Sequence, residues 1–249
     1  HRPLRHRRAL LLARRVLHRQ RSAGLSDGGH FLVLGAGGLG CPALLGLLAG
    51  GATALTIVDH DVVDATNLHR QVLYTIADVG MAKVEAASMR LRGRRPALTI
   101  RPLRQRIDEH NLGPLLAAQP PGTIVLECSD QPGLKFLVND ACLAHGLPLV
   151  LAGVQRWRGQ VQAVLRGQAC LRCMFEAPPP PELAESCSAV GVMGTAAGLL
   201  GYWMAHLALA LRAGSACAGE LWAIDVRTLE PQVLRPRPRP GCLACASAR

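Results

Sequence analysis

Aromatic residues are scarce: Phe, Tyr and Trp together make up 3% of the 249 residues. A core must therefore be assembled from Leu, Val and Ala, and there is no interleaved ladder of rings on which single-stranded bases could stack. Acids are also few. Asp and Glu number 17 against 28 Lys and Arg, for a formal net charge of +11. The excess sits at the ends: residues 1–26 hold eight arginines and no acid, and a second basic cluster runs from Arg235 to Arg239. The middle is near balance. This placement suits a basic patch beside a polyphosphate or facing an acidic protein as well as it suits nucleic acid, and with no ring ladder the expectation is no nucleic-acid partner. Residues 5–18 read as a short basic helix, and the arm 1–26 has the composition of either a targeting segment or a functional arm. No secretory signal and no internal repeat is visible. The nine cysteines are odd in number, and four of them form two C-x-x-C pairs, which points to metal in a reducing, cytoplasmic setting rather than to a disulfide framework.

Charge is missing altogether from Ala189 to Leu211, which contains no Asp, Glu, Lys or Arg. Such a run is long enough to span a bilayer. Gly191, Gly194, Gly198, Gly201 and His206 interrupt it, so the expectation is a helix buried in the core or in a subunit contact, its glycines allowing close backbone approach, and no membrane.

Against these absences stands a glycine loop. Val33-Leu34-Gly35-Ala36-Gly37-Gly38-Leu39-Gly40 follows an apolar strand and precedes an apolar helical pattern. Gly35, Gly37 and Gly40 fit G-x-G-x-x-G: a tight turn, close approach to a phosphate, and close helix–sheet packing. The following helix offers free N–H groups to an anion. Strands are expected at Phe31–Leu34, Ala54–Val58, Leu98–Ile100, Thr123–Cys128 and Leu149–Leu151. Helices are expected after the glycine loop and at Asp78–Leu91 (with Asp78 as N-cap), 108–118 and 132–145. The alternation predicts a Rossmann-like, doubly wound, mostly parallel α/β sheet. Beyond residue 152 the pattern changes to an antiparallel extension. Gly159–Leu165 alternates, 174–189 reads as an exposed loop around the Pro178–Pro181 run, and Leu221–Val226 with Gln232–Leu234 reads as a closing strand pair.

Ligands of such sheets bind beyond the carboxyl ends of the strands. Gly35, Asp59 and Asp130 all fall there. Asp59 can accept ribose hydroxyls, and Asn67 and Arg70 can bond phosphate oxygens, with Lys83 following on the next helix. Arg and Lys beside a glycine loop suit a triphosphate better than a dinucleotide, and Asp130 is a hard ligand for Mg²⁺. An NAD(H)-dependent oxidoreductase remains the alternative on the glycine loop and Asp59 alone, and a non-catalytic scaffold of the same fold is a third reading. Separately, Cys170-Leu171-Arg172-Cys173 and Cys242-Leu243-Ala244-Cys245 supply two C-x-x-C pairs. Four thiolates close a tetrahedral site, so a structural Zn²⁺ is expected.

In order along the chain, Gly35-x-Gly37-Gly38-x-Gly40, Asp59-x-Asp61, Asn67-Leu68-x-Arg70-Gln71, Gly80-x-x-Lys83, Cys128-Ser129-Asp130 and the two C-x-x-C pairs resemble the ubiquitin-activating-type adenylyltransferases, in particular their MoeB/ThiF branch. The resemblance implies a homodimer that uses ATP and Mg²⁺ to adenylylate the C-terminal glycine of a small ubiquitin-like sulfur carrier ending in Gly-Gly, for molybdenum cofactor or thiamine biosynthesis. It implies an external persulfide donor such as a cysteine desulfurase or a rhodanese. Gly35, Gly37, Gly38 and Gly40 would shape the ATP loop, Asp59 would hold the ribose, and Asp61 of the same motif would be among the cofactor-binding residues. Asn67, Arg70 and Lys83 would hold phosphates and Asp130 the Mg²⁺. Arg8 would be an arginine finger reaching the second subunit's ATP, with Arg7 as its rival. Cys187 would match the family's loop cysteine. Gln131 stands where the family usually has Asn. The expected organisation is one adenylation unit over 1–249: a basic arm (1–26), a nucleotide-binding half (27–153) and a zinc-bearing, carrier-binding half (154–249).

Overall fold

The computed structural model describes residues 28–180, 191–214 and 218–245. The basic arm with Arg7 and Arg8, and the loop residue Cys187, lie outside the described residues. Eight strands form one sheet in the order β3-β2-β1-β4-β5-β6-β7-β8. The strands are β1 (His30–Leu34), β2 (Ala54–Val58), β3 (Thr99–Leu103), β4 (Ile124–Glu127), β5 (Leu149–Gln155), β6 (Arg158–Val164), β7 (Leu221–Asp225) and β8 (Glu230–Leu234). β1 to β5 are parallel and β6 to β8 antiparallel, as the expected fold class requires. Pro102 and Pro231 fall on the two edge strands, where a missing N–H costs no ladder bond on the open side.

Both faces of the parallel half are covered, which is why its inner strands β1, β2, β4 and β5 are largely apolar, whereas the edge strand β3 exposes Thr99 and Arg101. Phe31 and Val33 of β1 point to one face, and Leu32 and Leu34 to the other. On the first face lie α1 (Gly40–Ala49), α2 (Lys83–Arg94) and α6 (Gly194–Arg212). On the second lie α3 (Leu112–Ala117), α4 (Pro132–His145) and the short α5 (Leu171–Met174), together with the four metal-type cysteines.

The long uncharged segment is thus a core helix. A Cβ on Gly201 would come 2.4 Å from the carbonyl oxygen of Leu39, and one on Gly46 of α1 would come 2.6 Å from Ala205. The glycine expectation holds for Gly194 and Gly201. It does not hold for Gly191 or Gly198, each of which has open space where a Cβ would stand. α6 also starts later than expected. Residues 191–193 run extended beside the β5–β6 turn, where Gly191 takes φ +79° and Val192 bridges Arg156.

A second correction concerns Asp78. The expected helix from Asp78 splits into a 3₁₀ turn, Ile76–Asp78, and α2 from Lys83. Asp78 is the third residue of that turn. Its carboxylate accepts the Thr75 N–H at 2.8 Å and is clamped by Arg90, whose Nε and Nη2 lie 3.0 and 2.8 Å away. Gly80 at φ +86° then breaks the helical path. The third expected helix shortens to Leu112–Ala117, because Asp108 turns back to accept the N–H groups of His110 and Asn111. β5 runs on to Gln155, because residues after Leu151 pair with β6 in a hairpin.

Candidate functional site

The strand order reverses between β1 and β4, and a cavity of about 940 Å³ opens beyond their carboxyl ends. Gly35, Gly37, Gly38, Asp59, Asp61, Asn67, Arg70, Lys83 and Asp130 all line it. Gly40 does not. It sits behind the loop, where a Cβ would fall 2.1 Å from the Gly35 carbonyl oxygen, so its glycine lets the loop close on α1.

The loop is held from three sides. Gly35 takes φ +96°, and its N–H reaches Val58 O at 2.8 Å. The Ala36 N–H donates to Asp59 Oδ2 at 2.7 Å, while Asp59 Oδ1 accepts the Asp61 N–H at 2.8 Å. Each Asp59 oxygen therefore keeps a lone pair for a further donor. The buried Tyr74 hydroxyl donates to Ala36 O at 2.8 Å and fixes the loop's underside.

Cations gather opposite the glycines. The Arg70 side chain lies against the loop, 3.4 Å from where a Gly38 Cβ would stand. Lys83 at the start of α2 is 6% exposed, and its Nζ donates to Asp61 Oδ2 at 2.9 Å. Burial raises the Asp61 carboxyl. The hydrogen bond and charge of Lys83, helped by His60 and Arg106, outweigh that and hold it below the usual carboxylate range. Asp130 is exposed after β4, and its carboxylate makes no hydrogen bond among the described residues. That leaves an oxygen donor for a hard cation.

Several groups in or behind the cavity wall were given no role by the sequence reading. Glu127 is fully buried at the end of β4. It accepts from the Ser129 N–H at 2.9 Å, from the Ser129 hydroxyl, and from Lys135 Nζ at 2.5 Å. Lys135 also donates to Ser129 O at 2.7 Å, so this ion pair shapes the turn that presents Asp130. Gln71 is 3% exposed in the cavity wall, and its Oε1 finds no partner among the described residues. Arg106, beyond β3, adds a further cation at the rim. A signal existed for Glu127: an acid closing an otherwise apolar strand. The cavity then continues over the antiparallel half, past Gln155, Arg158, Gln160, Ala223 and Gln232.

The four cysteines of the two C-x-x-C pairs come together on the opposite face. Cys170 Sγ lies 3.8 Å from Cys173 and 3.7 Å from Cys242, and Cys173 lies 3.4 Å from Cys245. All four sulfurs fall within 4.8 Å of one another. Zinc–sulfur bonds of about 2.3 Å at tetrahedral angles set sulfurs about 3.8 Å apart, so the donor set fits Zn²⁺. Burial pushes the Cys242 thiol up, but the backbone N–H groups of Cys245 and Ala244 outweigh this and bring it down to about 7. The Arg239 N–H donates to Cys173 Sγ at 3.3 Å, pinning the Pro/Arg tail to the same site.

Comparison with known proteins adds a family. A model described as the ThiF family matches residues 12–244. Over 86% of its length the chain is 35% identical to the SAMP-activating enzyme E1 of Haloferax volcanii, covering 79% of that protein. It is 37% identical, again over 86% of its length, to the sulfur carrier protein adenylyltransferase of Thermus thermophilus, covering 81% of it. It is 38% identical over 86% of its length to the adenylyltransferase and sulfurtransferase MOCS3 of Sus scrofa, and it spans about half (47%) of that protein. Among solved structures, E. coli MccB with ATP superposes at a TM-score of 0.77 with 20% identity, over 90% of this chain and 68% of that one, a likeness of fold.

Proposed function

This chain belongs to the ThiF family, and on that footing we propose that it is a nucleotidyltransferase that adenylylates the C-terminal glycine of a small ubiquitin-like sulfur carrier. One observation carries the reading. A glycine loop, two cations and an exposed carboxylate, from four separate segments, line one cavity at the point where the strand order reverses. Relatives named as sulfur carrier adenylyltransferases support the carrier as substrate.

In this reading the Gly35–Gly38 backbone and the N-terminus of α1 receive the phosphates of ATP. Asp59, already fixed by two backbone N–H groups, takes the ribose with its remaining lone pairs. Asp61 orients Lys83. Asn67, Arg70 and Lys83 neutralise the phosphates, and Asp130 would hold Mg²⁺, which supplies further charge neutralisation when bound. The carrier's carboxylate attacks the α-phosphorus, its new P–O bond replacing the bond to the leaving pyrophosphate. The carboxylate is already ionised at neutral pH, so no general base is required. Catalysis then rests on alignment and charge stabilisation. The carrier's Gly-Gly tail would enter over β5 to β8, which makes 154–249 the carrier-binding half and 27–153 the nucleotide half.

A homodimer would bring Arg8, with Arg7 as the alternative, from a second copy of the chain. Cys187 is proposed as the loop cysteine of sulfur transfer, fed by an external persulfide donor. The four zinc cysteines need reduced thiols, which fits the cytoplasm. Molybdenum cofactor and thiamine carriers are both candidate substrates.

ATP–pyrophosphate exchange against a panel of carriers ending in Gly-Gly tests the proposal. Exchange that depends on one of them is expected. Retention of NADH by a protein that ignores ATP would instead establish the oxidoreductase alternative.

A further inference from the structure

Helix α4 touches both candidate sites, and it does so through two adjacent rows of side chains. Residues four apart stack on one helix face, which places Lys135 in line with Asn139, and Phe136 in line with Asp140. At its N-terminal end α4 belongs to the cavity: Asp130 and Gln131 lead into it, and Lys135 grips Glu127 and the Ser129 carbonyl. One turn further on, α4 belongs to the cysteine cluster. The fully buried Asn139 accepts the Leu171 N–H at 3.0 Å, inside the first C-x-x-C. Its Nδ2 donates to Asp140 Oδ1 at 2.9 Å. Asp140 in turn takes Arg172, the other residue between those cysteines, with Nε 2.9 and 2.8 Å from its two oxygens. The Arg172 guanidinium lies 5.2 Å over the Phe136 ring. The elbow between Cys170 and Cys173 is thus fastened to α4 through three residue pairs, about 6 Å along the axis from Lys135.

We infer that α4 couples the two sites: metal held by the four cysteines fixes the helix in the position that presents Asp130 and Lys135 to the nucleotide, with Asp140 and Arg172 as the positioning residues of the link. The inference rests on the nucleotide reading of the cavity. Zinc orders the Cys170–Cys173 elbow, and the elbow orders α4 through Asn139 and Asp140. A nucleotide that engages the N-terminal end of α4 orders the same helix from the other side. Thermodynamic linkage makes the effect mutual: whatever factor zinc lends to nucleotide affinity, nucleotide lends to zinc affinity.

The test uses the zinc-loaded protein, a competing chromogenic chelator, and the non-hydrolysable analogue AMPCPP with Mg²⁺. Wild type is expected to hold zinc about five-fold more tightly with the analogue than without it. Asp140→Asn and Arg172→Gln should each abolish that difference, and the double variant should do no more than either, because both cut one link. A purely local stabilising role for the pair would lower zinc affinity equally in both conditions. Analogue that binds wild type, by calorimetry, without changing its zinc affinity overturns the coupling and leaves the nucleotide reading standing. Variants that keep the full difference overturn the assigned link. Analogue that does not bind wild type overturns the nucleotide reading and the coupling together.

Discussion

Lys83→Met separates the proposed chemistry from the fold. The Lys83 ammonium is buried at the start of α2, and its nearest charge is Asp61 at 2.9 Å, whose side chain is half exposed. Methionine keeps the unbranched apolar stem and removes only the charge, so packing survives. The lost ion pair has one partner open to water, which screens it, and pairs of that kind contribute about 1 kcal/mol or less. Freeing the site from a buried ammonium offsets part of even that. The transition state is affected differently. Removing one preorganised charge donor from a site of this kind costs about 10²–10³-fold in rate, or about 3–4 kcal/mol. Carrier-dependent ATP–pyrophosphate exchange should fall by that factor while the urea midpoint at neutral pH shifts little. A pH arm checks the cause. Asp61 titrates below its ordinary value when folded. Its contribution to stability is therefore present above the unfolded carboxylate pKa and lost as pH falls through the lower folded one. In Lys83→Met the principal group lowering it is gone, so the variant should lose less stability than wild type on acidification below about pH 4. Exchange within threefold of wild type would refute the assignment of Lys83 to the leaving phosphates.

Two further substitutions probe the frame around the cavity. Glu127→Gln leaves the Lys135 ammonium without its buried counter-charge and should cost about 3–5 kcal/mol in urea unfolding. Adding Lys135→Met should recover most of that loss, and a single variant as stable as wild type would show that the pair does not hold the Asp130 turn. Gly40→Ala would place a Cβ 2.1 Å from the Gly35 carbonyl oxygen, which is backbone and cannot swing aside. Nucleotide affinity and melting temperature should both fall, whereas the control Gly93→Ala in α2, with open space around it, should hold or raise the melting temperature.

The parallel half of the fold could be read because burial on both faces leaves its inner strands with few polar positions to confuse the pattern. β2 matches its expected bounds, and β1 differs by one residue. Reading failed where a side chain or a glycine overrode periodicity. Residues 78–91 carry a helical pattern, yet Asp78 is worth more clamped between Thr75 and Arg90 than capping α2, and Gly80 turns the chain between them. The run from Ala189 shows the same limit. Its composition is uniform, but α6 can begin only at Gly194, after the extended stretch that bridges Arg156.

Much of the candidate site was legible because strand ends are the one place where a sequence motif also states a position. Gly35, Asp59 and Asp130 each follow an apolar run, so the topology brings them together without any knowledge of side-chain contacts. The pairing of Glu127 with Lys135 was not legible, for the opposite reason. Glu127 stands out as an acid closing an apolar strand, but Lys135 on its own reads as a tolerated surface charge, and nothing in the sequence joins the two. Only the three-dimensional arrangement shows them 2.5 Å apart, with Glu127 fully buried. The same holds for Asp140 and Arg172, which lie 32 residues apart and ordinary in context. Motifs therefore mark the strand ends that line the cavity, while the residues that hold those motifs in place are compensating pairs. A pair of opposite charges leaves no trace in composition or periodicity, so the support beneath Asp130 becomes visible only when β4 and α4 are seen side by side.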